Sequence, residues 1–413
     1  MTFDPQVALQ YAAAVSRPRK VGSGEDTRVA QAIEARLRGW GWHVERQSFT
    51  FSAASEVFLK LFILVSMLLV AALLLSHDRV AAVSLVVLIV LFMPLQRIVQ
   101  AHALERNGRG LKWGKRYTTE NLIATHPPVR EHADFEHKVS HLYLVAHYDS
   151  KSQRMPLVVR IMLFMLTLIA GLILVVLTLF EVPTVLYLPI GLFALAAALP
   201  LLFLDVGNTS PGAVDNASSV GLVLHLAELL AQRTDWQNDL RITLLFPSAE
   251  EMTLMGSVAY VTAHMTQLRE QASRGGLHVL NFDGVGVDGD LYFVAGSHQR
   301  QNGDRINLLM YAQEACAELN LPLKRFGFIG ALFDHIPFAQ RGFDAISLIT
   351  VGRASRSVHT PADAVDQLHV RGFDQSGRVA LRVIERMIGD KSRTTPFQRC
   401  PVSGWATRRT MKR

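Results

Sequence analysis

The sequence has only two cysteines, Cys316 and Cys400, among 413 residues. They lie far apart and form no Cys-x-x-Cys pair, which excludes both a disulfide framework and a zinc site built from thiolates. Any metal ion bound by this protein must therefore use histidine and carboxylate side chains. Unpaired cysteines also agree with a reducing compartment.

The sequence also lacks two kinds of targeting or binding signal. The first residues, MTFDPQVALQ, contain no basic stretch followed by an apolar core, so we expect no cleaved secretory signal. A net charge of +7 and a pI near 9.5 would suit nucleic acid, but no basic motif with interleaved aromatic residues is present. We therefore expect no nucleic-acid partner and attribute the positive charge to an anionic membrane surface.

Hydrophobic residues, in contrast, are abundant. They make up 50% of the chain, and the mean hydropathy of +0.22 is high for a soluble enzyme. Two pairs of apolar segments, residues 57–96 and 157–204, contain arms close to the roughly 20 residues that cross a bilayer core. We therefore predict two transmembrane hairpins with four spans, with a buried helical hairpin as the alternative. Arg160 is expected to extend its charged end toward the membrane surface.

Outside these hairpins, the sequence predicts an α/β fold. Apolar residues recur at helical spacing over residues 5–41, and alternation typical of strands follows over residues 42–53. Four further strand-like runs are HLYLVAH, LRITLLF, LHVLNFD and DAISLIT, with helices such as residues 220–232 between them. This order favours a layered fold with a mostly parallel central sheet, whose sites form at the carboxyl ends of the strands.

Polar residues follow several of these strands or lie in turns beyond them. His147 and Asp149 end the first run, where positions two apart face the same way and Asp149 can fix the imidazole tautomer of His147 for metal binding. Asp215 lies in a turn at the start of a helix. A hydrogen-bonded His–Asp pair and a helix-capping aspartate are the simpler interpretations of these residues.

The adjacent carboxylates Glu250 and Glu251 follow a buried strand, where like charges disfavour joint ionisation. A divalent cation removes this cost, because one carboxylate can bind the metal while the other takes a proton from water. Asp283 ends another strand, and His359 opens the segment HTPADAVD. Two histidines, two aspartates and a glutamate suit a borderline cation such as zinc.

The motifs HYDS, PGAVDNASS, SAEE, NFDG, DH and HTPADAVD occur in the order found in a known family. Between about residues 142 and 368, apart from the second hairpin, the chain resembles the zinc metallopeptidases that include bacterial leucyl aminopeptidase, aminopeptidase Y and glutamate carboxypeptidase II. The resemblance implies a three-layer zinc-exopeptidase fold, two Zn²⁺ ions per chain and hydrolysis of the amino-terminal residue of a peptide substrate.

The resemblance also implies a role for each motif residue. His147 and Asp283 would bind one zinc ion, Glu251 and His359 would bind the other, and Asp215 would bridge the two. The remaining residues with implied roles are Glu250 as the general base, Asp149 as the residue that orients His147, Asp363 as the acidic residue after the last histidine, and Asp334 and His335 as a structural or substrate-side dipeptide.

Two features depart from the family pattern. Thr253-Leu254 stands where many members have Gly-Leu, and a complete hydrophobic hairpin separates Asp149 from Asp215. The peptidase domain would then consist of residues 1–56, 97–156 and 205–389, followed by a basic, disordered tail over residues 390–413. Its partners would be a peptide substrate and the lipid bilayer, and the oligomeric state has no sequence signature.

Charges beside the hairpins predict the orientation of the domain. Each hairpin returns the chain to the side it left, so all parts of the domain share one side of the membrane. The opposite turns hold only Arg79 as a basic residue, whereas the domain side is rich in them. These are Arg36, Arg38, Arg46, Arg97, Arg106, Arg109, Lys112, Lys115, Arg116, Lys151 and Arg154. The positive-inside rule therefore predicts a multi-pass protein of the bacterial inner membrane with its catalytic domain in the cytoplasm.

Two alternatives stay open. Glutaminyl cyclases resemble these peptidases, use a single zinc ion and contain an HYDSK-like stretch, which residues 147–151 reproduce. They catalyse acyl transfer within a peptide and not hydrolysis. A non-catalytic membrane protein of the same fold is the other alternative, although such proteins usually lack a ligand or the base, and none is lost here.

Overall fold

An eight-stranded sheet forms the middle of the globular part in the computed structural model, which describes residues 1–126, 139–182, 184–233, 235–295, 308–327 and 331–389. Its strands are β1 (His43–Ser52), β2 (Arg116–Thr125), β3 (Ser140–Val145), β6 (Leu240–Phe246), β7 (Leu277–Phe282), β8 (Gly289–Ala295), β9 (Leu323–Arg325) and β10 (Asp344–Gly352). Two short strands, β4 (Ser152–Gln153) and β5 (Val206–Gly207), pair with each other outside this sheet.

The strand order is β1-β2-β6-β3-β7-β10-β8-β9. The four central strands, β6, β3, β7 and β10, are parallel to one another, whereas β2 and β8 join them in antiparallel pairs. This confirms the α/β fold with a mostly parallel central sheet. Strands β2, β8 and β9 were not predicted from the sequence. Strand β9 has only three residues, and β2 lacks the continuous apolar run of a central strand.

Helices cover both faces of the sheet and so make a three-layer domain. They are α1 (Pro5–Val15), α2 (Glu25–Gly39), α7 (Ser218–Ala231), α8 (Met255–Ala263), α9 (Met265–Arg274), α10 (Leu308–Glu318), α11 (Ile336–Ala339) and α12 (Val370–Gly389). Helices α1, α2, α7, α10 and α12 share one hydrophobic core with one face of the sheet, and α8, α9 and α11 share another with the opposite face.

The first predicted helical region is two helices rather than one. A loop separates α1 from α2, and Gly22 and Gly24 in it have φ angles of 76° and 86°. These angles lie in the left-handed region that glycine adopts without steric cost, and they interrupt a helix. Of the two cysteines, Cys316 is buried on α10, whereas Cys400 and the predicted tail lie outside the described residues.

The hydrophobic segments form four helices, α3 (Ala54–Ser76), α4 (Arg79–Ala103), α5 (Leu157–Leu179) and α6 (Tyr187–Ala198). The first three are long and apolar enough to cross a membrane. The fourth predicted span is shorter: the apolar stretch covers Tyr187–Phe203, and its α-helical part ends at Ala198 before a 3-10 turn that contains Pro200. Proline lacks the backbone N–H that would continue the helix.

Helix α4 also runs to Ala103, beyond the predicted end of the first hairpin at residue 96. Its last turns belong to the globular part, because Val99 and Ala103 pack with Phe51 of β1 and with Met255 of α8. The first hairpin is therefore continuous with the domain and not joined to it by a flexible linker.

The surface of the hairpins is strongly apolar. Among the described residues, every exposed large hydrophobic side chain except Trp113, Met310, Leu332 and Val365 lies between residues 61 and 98 or between residues 158 and 203. The four helices pack on one another, and Arg79 of one hairpin turn pairs with Glu181 of the other. An apolar surface of this extent marks contact with a membrane or another protein.

Candidate metal centre

The predicted site residues come together at the carboxyl edge of the central strands. His147 follows β3, Asp283 follows β7, and Glu250 and Glu251 follow β6. Because β6, β3 and β7 are parallel neighbours, their carboxyl ends meet at the same edge of the sheet. Asp215 lies in the turn before α7 and reaches the same edge from the side.

The carboxylate of Asp215 lies between the two histidines. Its Oδ1 is 3.2 Å from Nε2 of His147, and its Oδ2 is 3.0 Å from Nε2 of His359. Two ligands at about 2.0–2.1 Å from one tetrahedral zinc ion are themselves roughly 3.3–3.4 Å apart. Each oxygen of Asp215 is therefore close to the spacing it would have if it shared a metal ion with the neighbouring imidazole.

The potential ligand atoms form two neighbouring groups, and Asp215 belongs to one of them. One consists of His147, Glu250 and Asp283, and the other of Asp215, Glu251 and His359. Within the first, Nε2 of His147 is 3.9 Å from Oδ2 of Asp283 and 3.8 Å from Oε2 of Glu250. Glu250 was expected to act as a general base and not as a ligand, but its carboxylate is close enough to contact a metal ion bound by His147.

Several polar atoms of this site are buried without hydrogen-bond partners among the described residues. They include Nε2 of both histidines, Oδ1 of Asp215 and Oε1 of Glu251. Unpaired buried polar atoms are costly, and their concentration at one point indicates a missing partner. Nitrogen and carboxylate oxygen atoms at this spacing fit zinc, the metal ion expected from the sequence.

The proximity of so many charges shifts the pKa values. Burial, then the charges of Glu251 and Asp283, raises the pKa of Glu250 well above its ordinary value. Burial opposes ionisation of Asp215, but its contacts with His147 and His359 outweigh this and hold the pKa of Asp215 well below its ordinary value. The pKa values of neighbouring carboxyl groups at this edge are therefore shifted in opposite directions.

Asp149 contacts more of the site than His147 alone. Its Oδ1 lies 3.5 Å from Nδ1 of His147, and the two carboxylate oxygens accept the backbone N–H groups of Glu250 at 3.1 Å and Glu251 at 3.3 Å. Sequence reasoning anticipated only the contact with the histidine. The hydrogen bonds to the acidic pair connect β3 to the turn after β6.

Two further side chains fix the turn that carries Asp215. Asp363 accepts the backbone N–H groups of Val214 at 2.6 Å and Asp215 at 3.3 Å. Asn216 donates to the carbonyl oxygen of Phe282 at 3.0 Å and accepts the N–H of Gly284 at 3.0 Å. The turn is thereby tied to both the His359 segment and the end of β7.

Arg19 is a residue of the site that sequence reasoning missed. It is fully buried, and its guanidinium donates to the carbonyl oxygens of Tyr148 at 2.5 Å, Pro211 at 2.5 Å and Gly212 at 2.9 Å. Burial lowers the pKa of Arg19 to about 10, which leaves it charged at neutral pH. No local motif marks this residue, because these three carbonyl partners lie more than 120 positions away in the sequence.

Lys151 forms an ion pair with one carboxylate oxygen of the predicted ligand Glu251. Its Nζ lies 2.6 Å from Oε2 of Glu251 and donates to the Glu251 carbonyl oxygen at 3.3 Å. The other carboxylate oxygen, Oε1, is 3.1 Å from Nε2 of His359. Glu251 therefore has one oxygen for a metal ion and one for the lysine.

Asp334 and His335 lie buried behind the site. The Asp334 carboxylate accepts a hydrogen bond from Ser257, and burial raises the pKa of Asp334 to about 7. His335 Nδ1 is 2.6 Å from Oγ of Ser347, and burial lowers the pKa of His335 to about 4.

Thr253, which replaces the family's glycine, has a φ of 68°, an angle that favours glycine.

The fold is shared with solved exopeptidases and cyclases. An aminopeptidase from Aneurinibacillus sp. strain AM-1 has a TM-score of 0.55 at 17% identity, with 93% of this chain and 94% of that chain covered. A zinc aminopeptidase from Bacillus subtilis has a TM-score of 0.54 at 15% identity, covering 93% and 95%. The glutaminyl cyclase of Fimbriiglobus ruber has a TM-score of 0.54 at 14% identity, covering 94% and 97%. At such low identity these similarities describe the fold alone.

Sequence comparison gives the family. No curated protein sequence matches this chain. The model of peptidase family M28 matches residues 121–384, which include each predicted metal ligand and the intervening second hairpin. With most of its length matched, the chain belongs to peptidase family M28.

Proposed function

We propose that this protein is a zinc-dependent aminopeptidase that removes amino-terminal residues from peptides. The observation that carries the proposal is the position of Asp215, whose two carboxylate oxygens each face a different histidine. A single carboxylate in this position suits a bridge between two ions, with His147 and Asp283 on one side and Glu251 and His359 on the other. Membership of the M28 family supports a hydrolase.

Glu250 is the proposed general base. When bound, the zinc ions would polarise the peptide carbonyl and acidify a water molecule. The Glu250 carboxylate takes a proton from the attacking water and returns it to the leaving amine. Asp149 holds the backbone of Glu250 in place and faces His147, so it supports both the base and a ligand. Asp363 does the same for the backbone of Asp215.

The hairpins are proposed to anchor this domain in the bacterial inner membrane, with the metal centre in the cytoplasm. Three helices of sufficient length and the apolar surface of the hairpins support insertion. The basic residues on the domain side support the orientation. A reporter fused after Arg413 should be active in the cytoplasm, and activity only on the outer side would contradict this orientation.

A glutaminyl cyclase is the second candidate, and the contact of Lys151 with Glu251 favours it. This lysine belongs to the HYDSK-like stretch and occupies one oxygen of a predicted ligand, which suits a site that needs fewer ligand atoms. The intact set for two ions and the DNASS and HTPADAVD segments favour the peptidase. A non-catalytic protein is disfavoured because each ligand and the base are present.

The discriminating experiment uses the detergent-purified full chain with metal analysis. We expect two zinc ions per chain and release of free amino acids from a panel of aminoacyl peptides. One zinc ion with pyroglutamate formed from glutaminyl peptides would establish the cyclase instead. Metal binding without turnover of either panel would support the non-catalytic alternative.

A further inference from the structure

A cavity of about 140 Å³ lies between the metal centre and the bases of the two hairpins. Lys151 and Glu251 line it on the metal side. The first turns of α3 and the last residues of the second hairpin form the other walls, with Leu59, Leu201 and Phe203 as apolar lining residues. The predicted ligand Glu251 is thus part of the cavity wall.

More basic than acidic side chains line this cavity. The basic ones are Lys60, Lys151, Arg154 and Arg160, and the acidic ones are Glu56, Asp205 and Glu251. Two of these cations are paired, because Lys60 lies 3.3 Å from Asp205 and Lys151 lies 2.6 Å from Glu251. The two arginines and the carboxylate of Glu56 remain.

Of the two arginines, Arg160 is better placed than Arg154 to bind a ligand in the cavity. It is half-buried in the first turn of α5, while Arg154 is exposed. Sequence reasoning expected it to extend toward the membrane surface, but its side chain lines the cavity. Within the described residues, its guanidinium forms no ion pair and no hydrogen bond, although the negative charge of Glu251 acts on it.

A half-buried guanidinium without a partner favours an anionic ligand. Charges withdrawn from water are costly unless they are paired, and the planar guanidinium binds carboxylates through two parallel hydrogen bonds. The size of the cavity limits the ligand, since an apolar cavity of about 150 Å³ holds one benzene molecule. The space beside Glu251 therefore fits one side chain or one chain terminus.

We propose that this cavity binds a carboxylate of the peptide substrate and that Arg160 determines this specificity. The inference rests on the proposed peptidase function, because it places the carboxylate next to a metal-binding residue. Two parts of a peptide offer the same chemistry: an aspartate or glutamate side chain, and the terminal carboxylate of a dipeptide. The second hairpin would then supply a residue to the substrate site.

The test compares substrates that differ only in one charge. The ratio kcat/KM is measured for peptides with glutamate or glutamine at the same position, and for dipeptides with a free or an amidated terminus. Wild type is compared with Arg160→Met, which keeps an apolar stem but removes the charge. The matched control is Arg97→Met, an exposed arginine on α4 that does not line the cavity.

In Arg160→Met we expect kcat/KM to fall at least tenfold for the charged member of one pair, since a hydrogen bond to a charged group contributes about 1.5–3 kcal/mol. The uncharged member and the Arg97→Met control should change less than twofold. The affected pair identifies whether the side chain or the terminus is bound. An equal change for both members of each pair, or none, would overturn the proposal.

A binding measurement separates this inference from the proposed function. Titration of the purified full-length protein, with its bound metal, with N-acetylglutamate should give heat that is absent with N-acetylglutamine amide, which has no carboxylate, and is lost in Arg160→Met. Such binding in a protein that hydrolyses no peptide would reject the peptidase and retain the carboxylate site. Hydrolysis without charge preference and without this binding would reject the site and retain the peptidase.

Discussion

Asp149 accepts the backbone N–H of Glu250 at 3.1 Å, although the two residues are 101 positions apart in the sequence. The same carboxylate faces His147 and accepts the N–H of Glu251. It therefore positions a predicted ligand and the predicted base at once. An uncharged replacement cannot preserve these contacts, because an amide offers one oxygen where the carboxylate uses two.

Asp149→Asn should weaken metal binding. Residues that orient metal ligands typically change metal affinity or activity by about 10–100-fold when replaced, and we expect a loss in this range. Competition with a chelating dye would measure the affinity. Asp366→Asn, an exposed aspartate that does not contact the site, is the control and should leave it unchanged. Equal affinities in both variants would show that Asp149 has no such role.

The two adjacent glutamates should respond differently to the same replacement. Glu250→Gln is expected to retain the metal and to lose at least about 100-fold in kcat, because general base catalysis contributes roughly 10²–10⁴-fold. Glu251→Gln should lose metal instead, since its Oε1 faces His359. Metal content and kcat measured on both variants check the prediction. Unchanged turnover in Glu250→Gln would remove Glu250 from the mechanism.

Arg19→Met should destabilise the protein, since it leaves the carbonyl oxygens of Tyr148 and Pro211 buried without donors, whereas the carbonyl oxygen of Gly212 still accepts the N–H of Ala217. Unsatisfied buried groups cost about 1–3 kcal/mol each, so the free energy of unfolding should fall by about 2 kcal/mol or more. Arg17→Met, at an exposed arginine 3.9 Å from Glu25, should have little effect. The Tm of each variant in detergent measures the difference, and equal values would contradict this account.

His141 should make the folded protein sensitive to acid. Burial and the charges of Arg241 and Arg274 lower the pKa of His141 to about 4, from an ordinary value of 6.5. Between these two pH values the unfolded chain binds a proton that the folded chain does not, so stability falls as the pH decreases from 6.5 to 4. After allowance for solvent screening, we expect about 1–2 kcal/mol from this residue.

The variant His141→Gln tests the effect, because it cannot be protonated. Its Tm should depend less on pH between 6.5 and 4 than the Tm of the wild type. His43→Gln, which replaces an exposed histidine on β1, is the control and should follow the wild-type curve. Parallel curves for wild type and His141→Gln would show that other groups cause the acid sensitivity.

Sequence patterns predicted the centre of the fold better than its edges. Strands such as Leu240–Phe246 are buried on both faces and read as apolar runs, whereas the edge strand Leu323–Arg325 has no such signal. His147, Asp283 and the pair Glu250-Glu251 could be named as candidates because they directly follow such strands, whereas Asp215 and His359 lie in turns and were named from their motifs. Arg19 was not, because its hydrogen bonds join segments that only the folded chain brings together. Helix α6 is shorter than the hydrophobic pattern predicted, because Pro200 interrupts the helix soon after Ala198.

The pairing of β4 with β5 closes the base of the second hairpin, and Gln153 of β4 donates its backbone N–H to the carbonyl oxygen of His359 at 2.9 Å. A change in hairpin tilt would therefore be transmitted to His359, whose imidazole belongs to the metal centre. Tilting is one way in which inserted helices adapt to the thickness of the bilayer. If the hairpins insert as proposed, we expect zinc affinity to differ between short-chain and long-chain lipids, which makes the lipid composition a determinant of activity.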